Sequence, residues 1–262
     1  MRIMFLNPVP NPGGDKDVGY DVAKIEKSLN ACASPGTKVE IGFPDDYAGS
    51  KVHDIIGAQS NMNGLQHVMQ APSLVQKIVW AAENGFDAVI QSNTFDPGVE
   101  GGRLAVKIPV IGLLKTSLHT ATMLADKVGI VVPLESHVAY AGRIVRAYGM
   151  ENFVSGIRAI GIYGPRLEER KDEITSIVID LIKCMIKNGA QIILPLGGLL
   201  IPYVVDPADL QRETGAPVLN TKVIGISFAE TCVRFGIRQS PIAYNPANLK
   251  HTDFLESAYA GG

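Results

Sequence analysis

The chain has 262 residues, 46% hydrophobic and 19% charged, and its 24 Lys+Arg against 26 Asp+Glu leave a formal net charge of -2. That length holds about two domains of ordinary size, or one larger α/β domain, with a sizeable core, and the composition excludes a disordered polymer. Without a basic run the chain lacks the footprint of a nucleic-acid binder, and no apolar run reaches the roughly 18 residues that span a membrane.

The first predicted element is the strand "RIMFLN" (2–7). Asn and Pro interrupt it too early for the core of a signal peptide, so a cytoplasmic location is expected. Further short β-branched runs follow: "KVEIGF" (38–43), "DAVIQS" (87–92), "PVIG" (109–112), "KVGIVVP" (127–133), "AIGIYG" (159–164), "QIILPL" (191–196) and a weaker "PVLN" (217–220). Helical patterns are clearest over 70–84, 134–148, 168–188 and 221–235. Strands alternating with helices, and lacking clean polar alternation, predict βαβ units with a mainly parallel sheet covered on both faces. Cys32, Cys184 and Cys232 show neither CxxC nor metal-ligand spacing, and read as reduced, small core or half-buried residues.

One stretch repeats. "ENGFDAVIQSNT" (83–94) and "KNGAQIILPLGG" (187–198) align without a gap: each closes a helix with Asn-Gly, runs a buried strand and breaks into a polar or glycine loop. Each is followed, after a helix, by a second "PV" strand. Two related α/β lobes are expected, and since open α/β sheets bind ligands at the carboxyl ends of their strands, Asn93 and Gly197 would oppose each other across a cleft.

The blocks "FLNP" (5–8), "PGTKVEIG" (35–42), "NGFDAVIQSNTFDPG" (84–98), "IPVIGL" (108–113), "NGAQIILPLGG" (188–198) and "GAPVLNTKVIGISFAE" (215–230) occur in the order found in the aspartate/glutamate/hydantoin racemase superfamily, and within it the chain resembles the hydantoin and allantoin racemase branch. The resemblance implies two pseudo-twofold α/β lobes, here 1–112 with 217–262 and 113–216, with the active site between them, and a homo-oligomer. In that family a cysteine from each lobe flanks the substrate carbon, one thiolate removing the α-proton and the opposite thiol returning one. By the same resemblance the two cysteine positions are Asn93 and Gly197. An amide does not titrate and glycine has no side chain, so the two-thiol mechanism is not expected here.

Other residues then become candidates. In the elbow Ser92-Asn93-Thr94, hydroxyls, amide and backbone N–H groups could surround a carboxylate or an oxyanion, or Asn and Thr could cap the next helix; Asp96-Pro97-Gly98 reads as a turn. In "LLKTSLHTAT" (113–122), Lys115 stands where the family often carries an acidic residue. Lys115 and His119 are i and i+4 and share one face if a helix begins there, so either could carry protons, while Ser117 is a polar neighbour whose side chain points away from Lys115. Asn7, where the family holds a carboxylate or ring amide, and the open wall Gly197-Gly198 complete the substrate-binding set. Ser92 is the nucleophile candidate, and His119 has no partners at metal-binding spacing.

The expected activity is that of a racemase-like isomerase or lyase. It would act, without an obligatory cofactor or metal, on a small anionic carboxylate or cyclic, hydantoin-like carbonyl compound through an enolate or oxyanion, by proton transfer or decarboxylation. A hydrolase opening a cyclic amide, imide or lactone, and a small-molecule binding protein that has lost its acid and base, are the alternatives. Neither nucleic acid nor membrane is an expected partner.

Overall fold

A computed structural model describes residues 1–9, 21–45, 64–164 and 166–254. The buried β-branched runs extend because both their faces are covered. β1 (Arg2–Leu6), β2 (Lys38–Gly42), β3 (Ala88–Gln91) and β4 (Val110–Gly112) form a parallel sheet in the order β2-β1-β3-β4. β5 (Val128–Val132), β6 (Val154–Ala159) and β7 (Ile192–Pro195) form a second, in the order β6-β5-β7. A parallel bridge between Ile193 and Val218 sets the weak "PVLN" run beside β7, as β4 lies beside β3.

The repeat survives at the level of single hydrogen bonds. Val89 N–H donates to the Pro109 carbonyl at 2.9 Å and Ile193 N–H to the Pro217 carbonyl at 2.9 Å. Phe86 N–H donates to Ala81 and Ala190 N–H to Met185, so the same helix-to-strand turn precedes each strand.

Helices α1 (Val22–Cys32), α2 (Leu65–Glu83), α3 (Val99–Ala105), α4 (Leu113–Leu124), α5 (Glu135–Ala147), α6 (Lys171–Lys187), α7 (Pro207–Thr214) and α8 (Thr221–Phe235) cover the sheets. Two of them exchange sides. Leu114, Leu118 and Ala121 of α4 enter the core beneath β5 and β7, whereas Ile226, Ala229 and Cys232 of α8 enter the core beneath β1 and β3. Each fully buried leucine contributes about 1.5–3 kcal/mol, so this exchange ties the two sheets together through their cores.

Some expectations change. The strand expected over 159–164 is β6, five residues earlier. Its half-exposed residues hide the apolar signal, while Ile160 and Ile162 are buried as loop residues, with Ile160 and Gly161 N–H still donating to Val132 and Pro133. Helix α2 begins at Leu65, ahead of the expected 70, and a 3-10 turn at Glu168–Arg170 precedes α6. Cys232 is buried, but Cys32 and Cys184, near the carboxyl ends of α1 and α6, are exposed. No helix of the described residues is long and apolar enough to cross a membrane.

Candidate functional site

Parallel strands release their chain at one edge of each sheet, and β3 and β7 release the two equivalent loops there. They meet: Gly197 N–H donates to the Thr94 hydroxyl oxygen at 2.6 Å, and Thr94 is buried. The elbow is held locally by Asn93, whose N–H donates to Gln91 Oε1 at 2.6 Å and whose Oδ1 accepts from Phe95 N–H at 2.9 Å. Asn93 therefore closes its own turn and does not cap the next helix, which starts at Val99 with Gly98 at its N-cap. On the other side Gly197 has φ +82°, and a Cβ there would collide with the Pro133 ring.

Asp96 follows with φ +56°. Its buried carboxylate accepts from Leu114 N–H at 2.9 Å, Lys115 N–H at 3.0 Å and the Tyr148 hydroxyl at 3.0 Å. It thus caps α4 from a distant loop. Burial raises the carboxyl above the ordinary carboxylate range, against the pull of the three donors. Burial, then the Asp96 charge, likewise raises the Tyr148 phenol.

Phe95 carries the elbow into the core under the second sheet. There it stacks on His67 at 5.3 Å and Tyr140 at 5.3 Å, with His137 tilted at 5.1 Å. His67 Nε2 lies 3.1 Å from Asn93 Nδ2. Burial lowers the His137 imidazole to about 4, so it is neutral at ordinary pH, and neither of its ring nitrogens has a hydrogen-bond partner among the described residues. A cavity of about 330 Å³ adjoins this cluster, lined by His67, Phe95, Asp96, Tyr140 and Tyr148 among others. A larger recess, about 510 Å³, is lined by α7 with Val218 and Asn220, and none of its lining comes from the two loops.

The remaining sequence candidates fall in different surroundings. Asn7 is buried at the end of β1, its Oδ1 accepting from Val9 N–H at 3.2 Å. Ser92 is buried, its N–H donating to Leu6 at 2.8 Å. Lys115 is half-buried, with Nζ 5.2 Å from the centre of the Tyr148 ring, at the rim of the aromatic cavity. His119 lies on the exposed face of α4, its Nδ1 2.8 Å from the Lys115 carbonyl. Ser117 is fully buried and its hydroxyl has no partner among the described residues. The structure thus joins Ser92, Asn93, Thr94, Gly197 and Gly198 at one seam, with Lys115 at the adjoining cavity and His119 facing outward.

One residue at the seam escapes sequence reasoning. Lys222, in the first turn of α8, is 4% exposed, and its Nζ donates to the Ser92 carbonyl at 2.6 Å. A Cβ on Gly198 would run into that same Nζ, so the amine stands between the two loops. Desolvation lowers it from 10.5 to about 7. The available signal was a cation in the first turn of an otherwise apolar helix, where the helix dipole disfavours it. Other buried polar groups also lack partners among the described residues, including the Gln70 amide, Gln91 Nε2 and Thr221 Oγ1. Among the described residues no group of three metal-ligating side chains forms.

A family model described as Asp/Glu/Hydantoin racemase matches residues 23–229. The hydantoin racemase of Pseudomonas sp. (strain NS671) is 30% identical over 244 residues, 92% of this chain and 90% of that relative. The solved structure of allantoin racemase from Pseudomonas fluorescens superposes with a TM-score of 0.74 at 23% identity, covering 95% of this chain and 98% of that one. That of unliganded arylmalonate decarboxylase superposes with a TM-score of 0.56 at 18% identity, covering 88% of this chain and 92% of that one. At those identities the two structures speak for the fold alone.

Proposed function

The chain belongs to the Asp/Glu/hydantoin racemase family, and on that premise we propose that it is a carbon-acid enzyme working without the two-thiol relay. Its substrate in this reading is a small carboxylate or a cyclic amide of the hydantoin type. The reaction removes a proton, or carbon dioxide, from the carbon beside a carbonyl and holds the resulting enolate.

The observation that carries the reading is the hydrogen bond from Gly197 N–H to Thr94, which brings the loops after β3 and β7 to one seam with Asn93 and Gly197, rather than thiols, on its two sides. An enolate oxygen needs fixed donors aimed at it in a site closed to water. The Asn93 amide, whose Nδ2 also lies against His67, is a donor of that kind, whereas the Gly197 N–H is already held by Thr94. Lys115 at the rim of the aromatic cavity is suited to an anionic group, and the cavity among His67, Phe95 and Tyr140 to a flat or apolar substituent. Asn7 forms the wall at the end of β1, and Ser92 supports the elbow through its backbone.

The test is proton NMR of the protein in D₂O with hydantoins, amino acids, substituted malonates, unsaturated diacids, cyclic imides and lactones. Deuterium at an α-carbon is the expected result. Ring opening without exchange at carbon would overturn the reading in favour of a hydrolase, and tight binding without any reaction in favour of a binding protein.

A further inference from the structure

Among the described residues the Lys222 side chain holds the fold through one hydrogen bond, to the Ser92 carbonyl. Asn220 caps α8 by accepting from Lys222 N–H at 3.1 Å and Val223 N–H at 3.3 Å, which fixes the lysine in the first turn and sends its side chain into the seam. There Nζ meets the Ser92 carbonyl at 2.6 Å, Gly198, and the Phe5 ring at 5.3 Å from its centre, and among the described residues no carboxylate pairs with it. A buried amine without a counter-ion, at the positive end of a helix dipole, is costly to stability and would be matched or bettered there by an apolar side chain of similar length.

We propose that Lys222 is the proton carrier of this site, its amine removing the proton from the substrate's α-carbon and returning one to it. The inference rests on the carbon-acid reading above. In the forward step the C–H bond breaks, its electron pair moves toward the carbonyl to give the enolate, and the proton becomes the third N–H of the ammonium; the return step reverses this. A single carrier reaches the carbon from one face. Exchange of the α-proton with solvent then outruns inversion of the centre, unlike a relay with a group on each face.

A base must be neutral before it acts, and burial brings the amine to about 7, so a useful fraction is neutral at ordinary pH. The charged groups on neighbouring elements are engaged elsewhere. Lys115 of α4 lies over Tyr148, His119 of the same helix faces outward, Glu26 of α1 accepts from Ile41 N–H, Glu230 of α8 accepts from Ser34, and Asp96 accepts from α4 and Tyr148. Desolvation alone accounts for the lowering of Lys222.

The experiment follows α-deuteration in D₂O by the wild-type protein, Lys222→Met and Lys222→Arg across pH 5–10, with folding checked by circular dichroism and the lysine ¹³Cε signal of the wild type titrated alongside. Wild-type exchange is expected to rise with pH through a midpoint near the 7 of the amine, and both variants to lose at least about 100-fold, a loss typical of removing a positioned proton carrier, since guanidinium does not deprotonate in this range. Exchange should also outrun inversion. A folded variant as active as wild type, or a Lys222 ¹³Cε midpoint above 9, overturns this inference alone. A wild type inert toward the whole panel overturns the carbon-acid reading, and this inference with it.

Discussion

Replacing Lys222 by Met should stabilise the protein at neutral and acidic pH and cease to do so in base. The amine titrates at about 7 in the folded protein against 10.5 when unfolded, which at 1.36 kcal/mol per pH unit amounts to roughly 5 kcal/mol of penalty for carrying the charge inside. Between those two pH values the unfolded chain holds the extra proton, so this residue makes wild-type stability rise with pH; below about 7 the penalty is complete, and above 10.5 it is gone. Met fills a similar volume but loses the hydrogen bond to the Ser92 carbonyl, a cost of about 1 kcal/mol at every pH. The variant should therefore be more stable than wild type by about 3–4 kcal/mol at pH 6 and slightly less stable near pH 10. Urea unfolding of both proteins at 25 °C across that range, compared at matched m-values, reads the difference directly. A difference that stays flat with pH, or a variant less stable than wild type at pH 6, would refute the assignment of an uncompensated buried amine.

Three further outcomes follow from the seam. Thr94→Val should cost about 1–3 kcal/mol in urea unfolding because Gly197 N–H loses its buried acceptor, while Thr94→Ser, which keeps the hydroxyl, should cost less. Gly197→Ala should cost more than Gly215→Ala by about 1–3 kcal/mol in the same assay, since both have positive φ but only the former meets a neighbour, the Pro133 ring; equal costs would mean that the loop moves aside. Asp96→Ala should cost about 3–5 kcal/mol, because it strands the N–H groups of Leu114 and Lys115 and the Tyr148 hydroxyl, and a loss under 1 kcal/mol would show that water replaces the carboxylate.

The strands and the repeat were legible because they depend on local signals, burial on both faces and a helix-closing Asn-Gly turn, and the matching hydrogen bonds of Val89 and Ile193 reproduce the ungapped alignment. β6 was misplaced because an edge strand is half exposed, and its apolar neighbours Ile160 and Ile162 are buried without belonging to the ladder. The elbow was legible as a polar break after β3, and its bond to Gly197 fits the expectation that the two loops face each other. Asp96 read only as a turn residue, since its role as the cap of α4 spans 18 positions of sequence. His67, 26 positions from Asn93, and Lys222, 130 positions from Ser92, reach the seam only through tertiary packing. Neither has a local pattern, apart from the misplaced charge at the start of α8, that marks it for chemistry.

The most direct test of a thiol-free carbon-acid enzyme is α-deuteration in D₂O by a cysteine-free protein, Cys32→Ser, Cys184→Ser and Cys232→Ala, using whichever compound of the panel the wild type exchanges fastest. None of these cysteines lies in either loop, and two are exposed on helices. Exchange within a few-fold of wild type is the predicted result. Loss of exchange in a folded cysteine-free protein would contradict the account, because it would return the proton transfer to a thiol.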